Sequence, residues 1–184
     1  MKEQKQFFNI LTIIVNFLAT LVFFVPSWYL SDTVVINDSS ITLSNTLIRP
    51  FDHDLLNEVK EMYIKNGADL DLRLSVVFCV LILVTIALSA CFAATTIFFI
   101  VKPNKITRRI QKIMSLVITT LCTSVLIIAI IFTDQSKVNF TDSSTTQHVY
   151  SLSITTGIYL FLTFEITGIF CSIIANKIPE QQEE

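Results

Sequence analysis

Glu165 is the one acidic residue inside a long apolar run of this chain. A carboxyl group at the centre of a bilayer costs about 2.5–3.5 kcal/mol on insertion scales, so it must face protein or be held neutral. Three kinds of role follow. A hydrogen-bonded acid fixes the register of neighbouring helices. An ionisable one carries a proton or an ion. A third role is contact with another membrane protein. At about 1.5 Å of rise per helical residue, Ser89 falls at nearly the same depth as Glu165. Asn16 and Thr119 or Thr120 lie within about one turn of that level. A polar layer joining the helices is therefore expected, with Asn16, Ser89 and Glu165 as its members.

The other reactive side chains lie apart from this layer. His53 and His148 are both in polar connecting segments, and no further ligand stands at metal-binding spacing from either. Cys79, Cys91, Cys122 and Cys171 all fall in apolar runs, where small packing roles are expected. Cys171, near the end of its run, is also a candidate palmitoylation site. No nucleophile–base constellation, phosphate loop or dinucleotide fingerprint is present. The expectation is a protein that is not an enzyme, uses no cofactor and binds no metal or nucleic acid. Two glycosylation triplets occur, Asn37-Asp38-Ser39 and Asn139-Phe140-Thr141. Among the many acids of residues 30–72, Asp32, Asp38, Asp52 and Asp54 are candidates for partner contact or ion selectivity.

The elements that must position these groups are four apolar runs, at about 7–29, 74–101, 110–133 and 149–175. A hydrocarbon core about 30 Å thick needs about 20 residues of helix. Only helices or closed barrels satisfy their own backbone there. The chain of 184 residues is 52% hydrophobic and only 15% charged, against about 25% charged in soluble domains. So little remains outside the runs that a single membrane domain over 1–184 is expected. The first run is longer than a signal-peptide core, and Val25-Pro26-Ser27-Trp28 is a poor cleavage site. It is read as a retained helix.

Charge sets the expected orientation. Residues 102–112 carry Lys102, Lys105, Arg108, Arg109 and Lys112 with no acid, which assigns them to the cytosol and makes them a candidate surface for anionic lipid headgroups. Both termini then lie in the cytosol, and the loops 30–73 and 134–148 lie outside, where both glycosylation triplets fall. In the first loop, Trp28–Ile36 and Ser40–Ile48 read as a hairpin about the Asn37-Asp38-Ser39 turn. A short helix is expected over about 55–66, capped by Asp52 or Asp54, with Leu55, Val59, Met62 and Tyr63 on one face and Gly67 as its stop. A strand from 135–140 is expected to complete the sheet. Ala87, Ala90, Cys91 and Ala94 recur at helical spacing, as do Gly157 and Gly168. Small residues let membrane helices approach closely.

This order, long outer loop first and short outer loop second, resembles the claudin and peripheral-myelin-protein superfamily. The local resemblances are Val25-Pro26-Ser27-Trp28 at the exit of the first helix, Pro50-Phe51-Asp52 leading to Leu55-Leu56, Leu72-Arg73-Leu74 at the entrance of the second helix, and Gly157 and Gly168 in the fourth. The chain departs from that pattern in having Trp28 without the preceding Gly-Leu, and no cysteine pair in the loop. The resemblance implies an all-α membrane protein, a four-helix transmembrane bundle with a small extracellular antiparallel β-sheet. It implies structural roles for Trp28, Arg73, Gly157 and Gly168, with Trp28 plugging the bundle and Arg73 binding carbonyls or a carboxylate. It implies a plasma-membrane protein of cell–cell contacts, junctions or paracellular barriers. An auxiliary regulatory subunit of an ion channel or receptor is the alternative, and a small transporter or enzyme using Glu165 a third. The expected partners are membrane lipids and other membrane proteins, either further copies in cis or trans or a channel or receptor complex.

Overall fold

The computed structural model describes residues 2–21, 24–36, 39–49, 52–101, 104–141 and 147–178. The chain runs α1 (Lys2–Leu21), β1 (Trp28–Ile36), β2 (Ser39–Ile48), α2 (His53–Lys65), α3 (Arg73–Val101), α4 (Lys105–Gln135), β3 (Val138–Thr141), β4 (Gln147–Ile154) and α5 (Thr156–Lys177). It is mostly helical with one small antiparallel sheet. Three helices, α3, α4 and α5, are long and apolar enough to cross a membrane. The first helix is not one of these. Its twenty residues include Lys2, Glu3, Lys5, Asn9 and Asn16, and the apolar Val22 and Phe23 that follow lie outside the described residues. It also stops short of the expected 29: Pro26 is incompatible with a continuing helix, and Trp28 is already strand.

The polarity of the long helices is inverted relative to a water-soluble bundle. Phe7, Ile10, Ile14 and Phe17 of α1, Val80, Leu83 and Val84 of α3, Ile113 and Leu116 of α4, and Ile166 and Phe170 of α5 are exposed, while Asn9, Thr12, Asn16, Ser89, Gln111 and Glu165 are buried. Exposed apolar area of this extent marks a surface that meets something other than water.

The chain divides into two compact units. One, the helical unit, is Met1–Val22, Leu81–Ser124 and Tyr159–Glu184; the other, the sheet unit, is Phe23–Val80 and Val125–Ile158.

In the sheet unit the strand order is β2-β1-β4-β3. The β1–β2 register runs from Trp28 opposite Ile48 to Ile36 opposite Ser39, with an irregularity between Asp32 and Thr33. On its other side β1 pairs with β4, from Trp28 opposite Ile154 to Val35 opposite Gln147. Side chains alternate across a strand, and Trp28, Leu30 and Val34 of β1 are buried together with Ile48 and Leu152. The helix expected over 149–175 is thus strand as far as Ile154. The alternation Tyr150-Ser151-Leu152-Ser153-Ile154 has the period of a strand, and its apolar content hid that inside a longer apolar run. The third strand falls at Val138–Thr141, close to the expected 135–140, but it reaches the sheet through β4.

α2 starts where an acid can cap it. Asp52 accepts a hydrogen bond from the Leu55 N–H at 3.3 Å, and Gly67 follows the helix at φ 79°, a conformation that suits glycine. The buried face is Leu56, Val59 and Tyr63. Leu55 and Met62, expected there, are only half-buried. Tyr63 donates to the Ser136 carbonyl at 2.6 Å, and its ring lies 6.1 Å from that of Tyr150. Burial first, and Tyr150 second, push the Tyr63 phenol above its ordinary value near 10. Burial, the Asp32 charge and a hydrogen bond with Asp32 raise Tyr150 as well. A phenol held protonated by the fold stabilises it fully below the unfolded pKa, and this contribution is lost as pH rises above about 10. An absorbance titration is therefore expected to show a late tyrosinate step that coincides with loss of the sheet unit. Tyr63→Phe removes its share of that step, leaving that of Tyr150, and costs about 1–2 kcal/mol through the lost buried hydrogen bond.

The turn into α5 is tightly built. Thr155 donates its backbone N–H to the Ser27 carbonyl at 3.0 Å and its hydroxyl to the Pro26 carbonyl. A Cβ on Gly157 would overlap that same Pro26 oxygen. Close backbone approach, and no special φ, is what requires glycine here.

Candidate functional site

The helical unit buries a set of polar side chains among apolar ones. From α1 come Asn9, Thr12 and Asn16, from α3 Ser89 and Thr96, from α4 Thr107, Gln111 and Ser115, and from α5 Glu165 and Ser172. Serine, threonine and asparagine within an apolar helix have a local outlet for their hydrogen bonds. Thr12, for instance, donates to the Phe8 carbonyl one turn earlier at 2.9 Å. Such residues satisfy themselves on their own helix and still present an oxygen to a neighbour.

Glu165 is fully buried. The Ser89 hydroxyl lies 2.6 and 2.7 Å from its two carboxyl oxygens and donates to them, so α3 and α5 are tied at one level. About one turn further along α5, the Gly168 carbonyl accepts from Thr12 at 3.4 Å. A Cβ on Gly168 would lie 2.7 Å from Asn16 Nδ2, so the missing side chain is what admits the asparagine. Asn16 Nδ2 donates to the Thr12 carbonyl at 2.7 Å, and Asn16 Oδ1 is buried without a hydrogen-bond partner. A third link joins three helices: Gln111 Nε2 donates to Thr96 Oγ1 at 3.2 Å, and Asn176 Nδ2 to Gln111 Oε1 at 3.5 Å. Lys5 and Arg108 both lie over the Phe99 ring, at 5.1 and 5.7 Å from its centroid.

Asn16, Ser89 and Glu165 are thus all buried in one unit, with Ser89 and Glu165 in direct contact. Thr119 and Thr120 are exposed and bond back to the Ser115 and Leu116 carbonyls of their own helix. The buried polar groups of α4 are Thr107, Gln111 and Ser115 instead. Gln111 sits at the very start of an apolar run, beside four basic residues, and reads there as part of a polar loop. Only its long side chain, reaching α3 and α5, makes it interior.

In the sheet unit Trp28 is fully buried, with its ring 4.8 Å from Phe78 and 5.0 Å from Phe132. Arg73 is the first residue of α3; its guanidinium lies 3.7 Å from the Asp71 carboxylate and is largely exposed. The acids have separate surroundings. Asp32 is half-buried on β1, 3.7 Å from His148 Nδ1. Asp52 caps α2 and Asp54 is exposed in its first turn. Asp38, Asn37, Pro50, Phe51 and Lys102 lie outside the described residues. His53 is exposed at the start of α2, whereas His148 stacks 6.3 Å from Tyr150. Asn139 is exposed on β3. Cys171 is buried, which removes it as an acylation site, while Cys91 is exposed together with Ala87, Ala90 and Ala94 along one face of α3. Among the described residues no group of three or more His, Cys, Asp and Glu side chains is placed to hold a metal ion.

The chemistry available to this arrangement is cohesion: hydroxyl, amide and carboxyl groups that pin helices together where the exterior is apolar. Compared with protein-family models, with curated proteins and with solved structures, the chain matches none.

Proposed function

We propose that this protein is a non-enzymatic, claudin-like tetraspan of the plasma membrane that makes protein contacts between or along cells through its sheet. In this reading α1 is the fourth span, since its exposed face is apolar over Phe7, Ile10, Ile14 and Phe17. Both termini and the basic start of α4 are cytosolic by the positive-inside rule, and the strands with Asn139 are exoplasmic.

The observation that carries this reading is the sheet. Strands from both polar segments of the sequence join in one sheet, and β2 forms one edge with Ile41 and Leu47 each 59% exposed. An exposed edge strand is a template for pairing with another chain, and here it bears large apolar side chains that supply affinity. The positions that carry the family resemblance also have structural reasons to be what they are. Trp28 is the aromatic core of the sheet unit, and Gly157 admits the Pro26 carbonyl.

The test is expression of a tagged chain in non-adherent cells. Enrichment at cell–cell contacts is expected, and Ile41→Glu with Leu47→Glu is expected to reduce it to the level of a diffuse membrane marker. A glycan-dependent mobility shift, lost in an Asn37→Gln, Asn139→Gln variant, checks the exoplasmic placement. Diffuse distribution of the wild-type chain overturns the contact role.

One observation favours the second reading, an auxiliary subunit of a channel or receptor. The small residues Ala87, Ala90, Cys91 and Ala94 are exposed on α3, a face onto which a helix of another membrane protein packs closely. Co-purification of a large channel or receptor in mild detergent, lost on Ala90→Phe, supports that role over adhesion.

A further inference from the structure

A groove of about 380 Å³ lies in the helical unit, lined by Lys112, Ser115, Leu116 and Thr119 of α4 and by Ile169, Ser172, Ile173, Asn176 and Lys177 of α5. Its two lysines are eight and twenty-two residues along helices that run past each other here, and the lining brings them to one groove. From Lys177 to Ile169 is eight residues of helix, about 12 Å. That length takes a phospholipid headgroup, its glycerol and the first methylenes of a chain. The volume falls within the usual range for small-ligand sites, about 300–1,000 Å³.

Its chemistry is graded. Lys112 and Lys177 supply cationic donors. Ser115, Ser172 and Asn176 form its polar side. Leu116, Ile169 and Ile173 are apolar, and Leu116 is 70% exposed. A plain hydrocarbon chain in this groove would leave the two lysines without an anionic partner. A free anion would leave the apolar walls uncovered. An occupant that answers both has a phosphate for the lysines and an acyl chain for the apolar walls.

We propose that the α4–α5 groove is a binding site for an anionic phospholipid, its phosphate gripped by Lys112 and Lys177. The site depends on the apolar helices lying in a bilayer and not on the claudin-like reading. Lys112 carries the larger share. No acid occurs in α4 before Asp134 to offset it. Lys105 and Arg109 are outside the groove lining. They attract anionic surfaces without selecting a headgroup.

The experiment is native mass spectrometry of the full chain purified from mixed micelles of phosphatidylcholine and phosphatidylinositol. The wild-type chain is expected to retain phosphatidylinositol preferentially. Lys112→Ala with Lys177→Ala should lower its retention about tenfold or more, the sum of two charge contacts. Ile173→Trp, at an exposed position where the fold tolerates bulk, should block the groove and lower retention equally. Lys105→Ala with Arg109→Ala should lower it much less. Retention unchanged by Lys112→Ala with Lys177→Ala, retention unchanged by Ile173→Trp, or equal loss in both lysine/arginine pairs each overturns the proposal. So does full displacement by soluble inositol phosphate at the concentration at which the lipid binds. Each readout is independent of where the protein sits in a cell, so failure of the contact role leaves this result standing.

Discussion

Trp28→Ala is expected to destabilise the sheet unit by about 3–5 kcal/mol, the range for truncating a large buried aromatic. The indole is fully buried between Phe78 and Phe132, and the residues on either side of its strand pair are Ile48 and Ile154. Removing it opens a cavity that strands held in register on both sides cannot easily close. The indole Nε1 is buried without a hydrogen-bond partner, so the ring is held by shape and apolar contact alone. Trp28→Phe should therefore cost less than half as much, because the smaller ring forfeits area but no polar contact. Cys79, adjacent to Phe78 and 4% exposed, provides the readout. In a background where Cys91, Cys122 and Cys171 are replaced, the temperature at which a thiol reagent begins to modify Cys79 should fall sharply in Trp28→Ala and slightly in Trp28→Phe. Equal onset in all three chains would mean that the aromatic cluster does not hold this unit.

The same cluster shows what a sequence can disclose about a fold of this kind. Trp28–Ile36 is legible as a strand because its composition is β-branched and aromatic and a turn follows. α2 is legible because Asp52 and Gly67 bracket one amphipathic pattern. The long helices are legible by length and apolarity alone. What fails is the boundary where strand meets helix inside one apolar run, as at Ile154. There hydropathy is continuous and only a change of period, from 2 to 3.6, marks the join. α1 is legible as a helix from its apolar run but its end is not, because apolarity continues past Leu21 towards Pro26 and the strand that begins at Trp28. Within the site, Ser89 and Glu165 are legible from helical rise because both lie far from helix ends. Gln111, Thr96 and Asn176 are not, because their contacts depend on long or terminal side chains bridging helices at a level that no single run defines.

Ser89→Ala is expected to be the most damaging single change in the polar core. It leaves the Glu165 carboxyl buried without the hydroxyl that donates to it, at a cost of about 1–3 kcal/mol and more when the acid is charged. Glu165→Gln keeps an acceptor and adds donors at the same place, so it should cost less. Replacing both partners, Ser89→Ala with Glu165→Leu, removes the polar requirement altogether and should recover most of the stability lost in Ser89→Ala. Adding the two single effects would then overestimate the damage of the pair by at least about 1 kcal/mol, the mark of direct coupling between contacting residues. Thermal unfolding of the wild-type chain, Ser89→Ala, Glu165→Leu and the double variant in one detergent measures this cycle. The outcome also decides what Glu165 is for. An acid that fixes helix register is dispensable once its partner is gone, and the apolar pair should fold and reach the membrane as the wild-type chain does. An acid that carries a proton or an ion is not dispensable. In that case the apolar pair would fold yet lose whatever activity the cell reads, and Glu165→Gln would lose it too while remaining stable. The Ser89 hydroxyl held on α3 and the full burial of the carboxyl place the expectation on the first of these.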